Sequence, residues 1–259
     1  MVKLVFVWFA AAAFAASLGF FLYSYLFLFG PAPSASVPAP STSVYAPSAS
    51  VPAPSTSVYA PSVVNFLLFT VFALHHSVFA RTAVKNVVRR FVPENLERAV
   101  YTLVASILFA LVCWLWQPVP GDAWRLGGFW RWIGFGAQAA GIVLTIVAAG
   151  ALDVWELAGV RPTFALPASV GRHAPVHQLP VLKTTGLYGF VRHPLYFAWL
   201  LLVFGAPDMT MTRLSFAVIS AVYLAAAIPF EERGLIETFG PTYASYRNKV
   251  RWRMIPGIW

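Results

Sequence analysis

Charge is what this chain has least of. Only 10% of its 259 residues are Asp, Glu, Lys or Arg, and just nine are acidic. A soluble domain carries roughly a quarter charged residues. With 59% hydrophobic residues and a mean hydropathy of +0.71, the chain reads as an integral membrane protein. Cysteine is nearly absent: Cys113 stands alone inside an apolar stretch, which excludes a disulfide within the chain. No Gly-rich phosphate loop, nucleophile elbow or HExxH zinc motif occurs. A metal is not expected. His173 and His177 have helical ligand spacing, but Pro167 and Pro175 disfavour a helix there and no cysteine or carboxylate joins them. Nucleic acid is not expected either, because the basic residues lie along membrane flanks rather than among stacking aromatics on one soluble face.

Long apolar runs are what the chain does have. Spans are expected near 4–29, 63–79, 99–117, 129–151, 191–206 and 214–230. The expected fold is all-α, an integral membrane protein with about six transmembrane helices and a short cytoplasmic C-terminal segment. The fifth and sixth spans are short against the roughly 20 residues that cross a bilayer, which leaves them to tilt little, to thin the bilayer locally or to form a tight hairpin across Gly205–Asp208. The first run is too long for a signal-peptide core and reads as an anchor.

The sparse charge sets orientation. Lys3, then Arg81, Lys85, Arg89, Arg90 and Arg98, then Arg161, Arg172, Lys183 and Arg192, and finally Arg233, Arg247, Lys249, Arg251 and Arg253 all fall on one side of six spans. Arg125, Arg131 and Arg213 fall on the other. The positive-inside rule then places both termini in the cytoplasm. Residues 32–45 recur without change as residues 46–59, and proline every few positions forbids a helix. The expected organisation is an N-terminal anchor at 1–30, an extended Pro/Ser/Ala-rich linker at 31–62 on the non-cytoplasmic side, and a membrane domain at 63–259.

Charged residues at a membrane boundary mark functional sites by default. Two clusters stand out. Arg192-His193-Pro194 opens the fifth span, with Pro194 suited to its first turn. Glu231-Glu232-Arg233 closes the sixth, although acidic residues serve no topological purpose there. With the tyrosines of Tyr243-Ala-Ser-Tyr246-Arg247, the clusters offer cations, anions and rings to one small zwitterionic ligand. His75 and His76 sit at the same expected level. Being about 100° apart on a helix, they cannot both face inward, and at least one is a candidate lining residue of a substrate pocket.

The region 181–256 resembles the isoprenylcysteine carboxyl methyltransferase and phospholipid methyltransferase superfamily. The resemblance rests on Gly186-Leu-Tyr188, Arg192-His193-Pro194-Leu-Tyr196, Glu231-Glu232-Arg233-Gly-Leu235, Phe239-Gly240 and Tyr243-Ala-Ser-Tyr246-Arg247. Leu74-His-His-Ser-Val-Phe-Ala-Arg81, Phe91-Val-Pro-Glu-Asn-Leu-Glu-Arg98 and Leu115-Trp-Gln-Pro118 look like its methanethiol S-methyltransferase and nurim branch. The chain departs from that branch at His75, where Gln is typical, and at Gly150–Glu156, where an Asn-His-Phe-type segment is typical.

The resemblance implies S-adenosylmethionine bound near the cytoplasmic face by motifs within 186–256. Arg192 or Arg247 would meet its carboxylate, and Glu231 or Glu232 its ammonium or ribose hydroxyls. Tyr188, Tyr196, Tyr243 and Tyr246 would offer stacking or cation–π faces, and His193 beside Pro194 would hydrogen-bond. No catalytic residue is singled out, since methyl transfer to a thiolate or carboxylate needs no general base. The implied acceptor is small or lipophilic and enters from the bilayer. A volatile thiol comes first and a prenylated or other lipid acceptor second, and the rival is a nurim-like membrane protein without turnover.

Overall fold

The protein was described from a computed structural model, which describes residues 2–31, 57–79, 82–152, 160 and 181–259. His173, His177, Asp153, Glu156 and nearly all of the tandem repeat lie outside the described residues.

Helix dominates, as the apolar runs require. Helix α1 (Val2–Tyr23) continues into a wider π turn at Ser24–Leu28, and α2 follows at Tyr59–Val78. Next come α3 (Thr82–Val88), α4 (Glu94–Leu115) and α5 (Gly128–Ala151). A 3-10 turn at Gly186–Gly189 leads into α6 (Pro194–Phe204), and α7 (Met211–Phe239) and α8 (Pro241–Lys249) complete the chain. Five of these segments are long and apolar enough to cross a membrane, and α6 is a shorter apolar helix. The protein is thus a multi-pass integral membrane protein.

The boundaries differ from the sequence reading in three places. Helix α2 starts at Tyr59, inside the last residues of the repeat, because Pro61 falls in the first turn, where a missing N–H costs nothing. Helix α6 is only 11 residues long, about 16 Å at 1.5 Å per residue, since Pro194 takes its first turn and the residues before it form a 3-10 turn and a bend. Helix α7 continues past the charged pair to Phe239, so Glu231 and Glu232 stand on a continuous helix rather than beyond one.

Helix α1 packs mainly along α4, and α6 along α5. The second pair sits unusually close. A Cβ at Gly141 would lie 2.6 Å from the Leu202 nitrogen and 2.7 Å from the Ala198 oxygen, both backbone atoms that cannot yield. Small residues permit such approach in membranes, where dispersion contacts drive helix association. Gly141→Leu is expected to part α5 from α6 and destabilise the protein by about 1–3 kcal/mol or more, read as a lowered unfolding temperature in detergent.

Opposite the charged clusters, the loop after α4 meets the α6–α7 turn as two short antiparallel strands, β1 (Asp122–Arg125) and β2 (Asp208–Thr210). Arg131 clamps Asp208 bidentately at 2.9 and 2.7 Å. Arg213, buried at the start of α7, donates to the carbonyls of Tyr25, Leu26 and Asp208 at 3.0, 2.7 and 2.6 Å. It thereby satisfies backbone oxygens that the π turn leaves without helical partners. The core is aromatic and centred on Phe216, with Phe21, Tyr25, Phe29, Phe69 and Trp116 around it. Large apolar side chains also face outward. Phe129, Trp130 and Trp132 at the start of α5 are 73%, 64% and 73% exposed, which suits an interfacial aromatic belt.

Candidate functional site

The site is assembled at the C-terminal end of α7. Gly240 ends that helix with a φ of +52°, which favours glycine, and Pro241 opens α8 at a right position for its fixed φ. The turn folds α8 back, and Tyr246 donates its hydroxyl to the Tyr188 carbonyl at 2.7 Å. The segment after α8 then runs beside the residues preceding α6. The Arg192 N–H donates to the Trp252 carbonyl at 2.9 Å and the His193 N–H to the Arg253 carbonyl at 2.8 Å.

Arg192 is 8% exposed and turns inward. Its Nε donates to Glu232 Oε1 at 2.6 Å, and one terminal nitrogen donates to the carbonyls of Val250 and Arg251 at 2.8 and 3.0 Å. Glu232, 4% exposed, is also approached by Arg247 and Arg253, each at 3.8 Å. These groups form a clasp between α7, the start of α6 and the C-terminal segment. Glu231 points elsewhere. It accepts a hydrogen bond from the Tyr196 hydroxyl and lies 3.4 Å from His193 Nδ1. The His193 ring stacks on Tyr196, with centroids 5.3 Å apart.

His193 lies just ahead of α6. Burial works against its charge, but the carboxylates of Glu231 and Glu232 outweigh burial and raise its pKa above the ordinary histidine value. Its Nε2, 3.5 Å from Glu232, is buried and makes no hydrogen bond among the described residues. Burial pushes the hydroxyls of Tyr188 and Tyr243 up to about 12, with nearby carboxylates adding to the shift. Both therefore stay protonated donors at neutral pH.

One cavity of about 740 Å³ opens on this cluster and runs into the bundle. Tyr188, Arg192, His193, Pro194, Tyr196, Glu231, Tyr243 and Tyr246 line it, as does His76 from α2. Glu232 and Arg247 do not line it; they stand behind Arg192. His75 lines a separate small cavity of about 150 Å³ with Lys85, Glu97 and Tyr101. The 100° between the two histidines thus divides them between neighbouring cavities. Deeper in, the large cavity is walled by Phe14, Leu18, Phe69, Phe72, Phe109 and Trp199. It also takes in Tyr101, Lys183 and Tyr223, which the motifs did not single out, and Arg98, the last residue of the Phe91–Arg98 motif, to which the sequence reading assigned no pocket role. The buried pair Thr102 and Ser106, one turn apart on α4, was the available signal for a cavity-facing stripe on that helix. Among the described residues, no group of His, Cys, Asp and Glu could hold a metal ion.

A multi-pass helical membrane protein with one cavity lined by both charged and aromatic side chains fits a membrane enzyme. Known proteins make the class specific. The chain is 35% identical over 188 residues to methanethiol S-methyltransferase 2 of Bradyrhizobium diazoefficiens, covering 73% of this chain and 71% of that one. It is 31% identical over 196 residues to methanethiol S-methyltransferase of Mycobacterium tuberculosis, covering 73% and 75%. Nurim of Xenopus laevis is 28% identical over 172 residues, covering 61% of this chain and 56% of that one. No protein-family model and no solved structure matches the chain. The chain belongs to the methanethiol S-methyltransferase family; it is a membrane methyltransferase, and it requires a methyl donor.

Proposed function

We propose that the donor is S-adenosylmethionine, bound at the charged end of the large cavity, and that the acceptor is a small thiol reaching it through the aromatic end. The observation that carries this reading is the continuity of the two environments: carboxylate, imidazole and phenol groups at one end of a single cavity, and mostly rings and aliphatic side chains, with a few hydroxyls such as Thr102 and Ser106, at the other. Its volume lies within the roughly 300–1,000 Å³ of ligand sites. Two buried polar atoms on its wall, His193 Nε2 and the Tyr243 hydroxyl, have no hydrogen-bond partner among the described residues. Orphaned groups of this kind are costly without a ligand, so the donor set fits a cofactor rich in hydroxyls and ring nitrogens.

Bound there, the cofactor supplies an electrophilic methyl group on a sulfonium. Glu231 accepts from its ammonium and is held by Tyr196 and His193. The Tyr243 hydroxyl and His193 Nε2 bond its ribose or adenine edges, while the faces of Tyr188 and Tyr246 favour its cationic and aromatic parts. Arg192 and Glu232 hold the C-terminal segment over the site. The aromatic walls would exclude water and hold an acceptor against the donor's end of the cavity, and positioning of this kind supplies several kcal/mol of a transfer barrier. The apolar lining from Phe14 to Trp199 supports a larger lipophilic acceptor as a second reading.

Calorimetry on purified protein in detergent tests the proposal. S-adenosylhomocysteine should bind saturably in the micromolar to sub-millimolar range, and Glu231→Gln should weaken it by about 1.5–3 kcal/mol, the worth of a hydrogen bond to a charged group. With methanethiol and S-adenosylmethionine, headspace analysis should find dimethyl sulfide; preference for long alkyl thiols would favour the second reading. Absence of saturable binding would remove the proposal.

A further inference from the structure

Arg192 and Arg247 are the cations that the motifs offer to the cofactor's carboxylate, yet Arg247 does not line the cavity, and the Nε and one terminal nitrogen of Arg192 are taken by Glu232 and two backbone carbonyls. Another cation lines the same cavity in the opposite half of the chain. Arg98, in the first turns of α4, has a buried Nε with no hydrogen-bond partner among the described residues. Its sequence neighbour Glu97 does not neutralise it, since Glu97 is engaged by Arg89 at 2.5 Å. The Arg98 guanidinium lies over the Tyr101 ring, 5.9 Å from its centroid, which limits the orientations open to it.

Across the cavity stands Glu231. His76 and Tyr101 both lie within electrostatic reach of Arg98 and of Glu231, so the cation and the carboxylate face one shared space. A buried guanidinium N–H without an acceptor is unfavourable, and a carboxylate matches the planar fork of an arginine. Lys183 lines the same mouth but is exposed, so its ammonium can stay hydrated.

We propose that Arg98 holds the carboxylate of an α-amino-acid group whose ammonium is held by Glu231. This rests on the cofactor reading above and assigns the amino-acid end of S-adenosylmethionine to the α4 side of the cavity. Arg98 is then a binding residue contributed by the half of the chain that carries none of the superfamily's C-terminal motifs.

Two ligands separate this inference from its parent. S-adenosylhomocysteine carries the amino-acid end, and 5′-methylthioadenosine has the same adenine, ribose and thioether without it. In calorimetry on the full chain in detergent, Arg98→Gln should weaken S-adenosylhomocysteine roughly ten- to a hundredfold and leave 5′-methylthioadenosine unchanged. Arg98→Lys, which keeps the charge but not the fork, should fall between; it carries the comparison if the glutamine variant does not accumulate. Equal weakening of both ligands would make Arg98 a wall of the pocket and overturn the assignment, as would undiminished S-adenosylhomocysteine binding. If the unmodified protein binds neither ligand, the cofactor reading itself falls and this assignment with it.

Discussion

Glu232→Gln is expected to unfold the C-terminal end of the protein more readily than any other single change in the charged cluster. The Glu232 carboxylate is buried with Arg192 at 2.6 Å and has His193, Arg247 and Arg253 within 3.8 Å. Removing its charge leaves four basic groups facing one another, with Arg192 held only by two carbonyls. Breaking a buried pair on one side costs about 3–5 kcal/mol, because the surviving charge stays desolvated. Arg192→Gln should cost less, since Glu232 keeps Arg247, Arg253 and His193 nearby while the carbonyls of Val250 and Arg251 lose their donor. The expected readouts are a lowered unfolding temperature in detergent and faster proteolysis between Val250 and Trp259. Loss of cofactor affinity should follow from that release. A Glu232→Gln protein of full stability and weak cofactor affinity would instead place the carboxylate against the ligand.

The second expected result is all or none. Cysteines introduced at Ser43, Lys183 and Ser245 in a Cys113→Ala background should label with a membrane-impermeant reagent from opposite sides. Position 43 should react in intact cells, and 183 and 245 only after permeabilisation. Lys183 lines the cavity beside Arg192, and Ser245 sits exposed on α8, whose Tyr246 bonds the Tyr188 carbonyl, so both belong to one end of the bundle. On the six-span reading of the sequence, fifteen of the 18 basic residues fall on that side, and the positive-inside rule predicts that it faces the cytoplasm. Labelling of 183 and 245 from different sides would contradict the α6–α7 hairpin. Labelling of all three from outside would reverse the orientation and remove access for a cytosolic cofactor.

Cys113 itself is expected to be a neutral background, being 3% exposed in the aromatic core with no role in the cluster.

The sequence by itself determined the membrane class, the number of apolar segments and the gathering of Arg192, His193, Glu231 and the tyrosines at one level. Those properties are local: a run that crosses lipid must be apolar, and a charge at its edge is visible wherever its partner lies. Helix geometry set His75 and His76 about 100° apart, but that each lines a cavity, with Tyr101 common to both, was decided by tertiary packing. What only the tertiary structure decided is which charge meets which. Arg192 and Glu231 carry the same signal in the sequence as Arg247 and Glu232. Yet Arg192 turns back to Glu232 and the 250–253 backbone, Arg247 stands behind it, and Glu231 faces the cavity. The β1–β2 pairing, the extension of α7 to Phe239 and the arrival of Arg98 opposite Glu231 were equally unreadable. Each depends on where the chain returns after many intervening residues, and a side chain's partner is set by that return rather than by its neighbours in sequence.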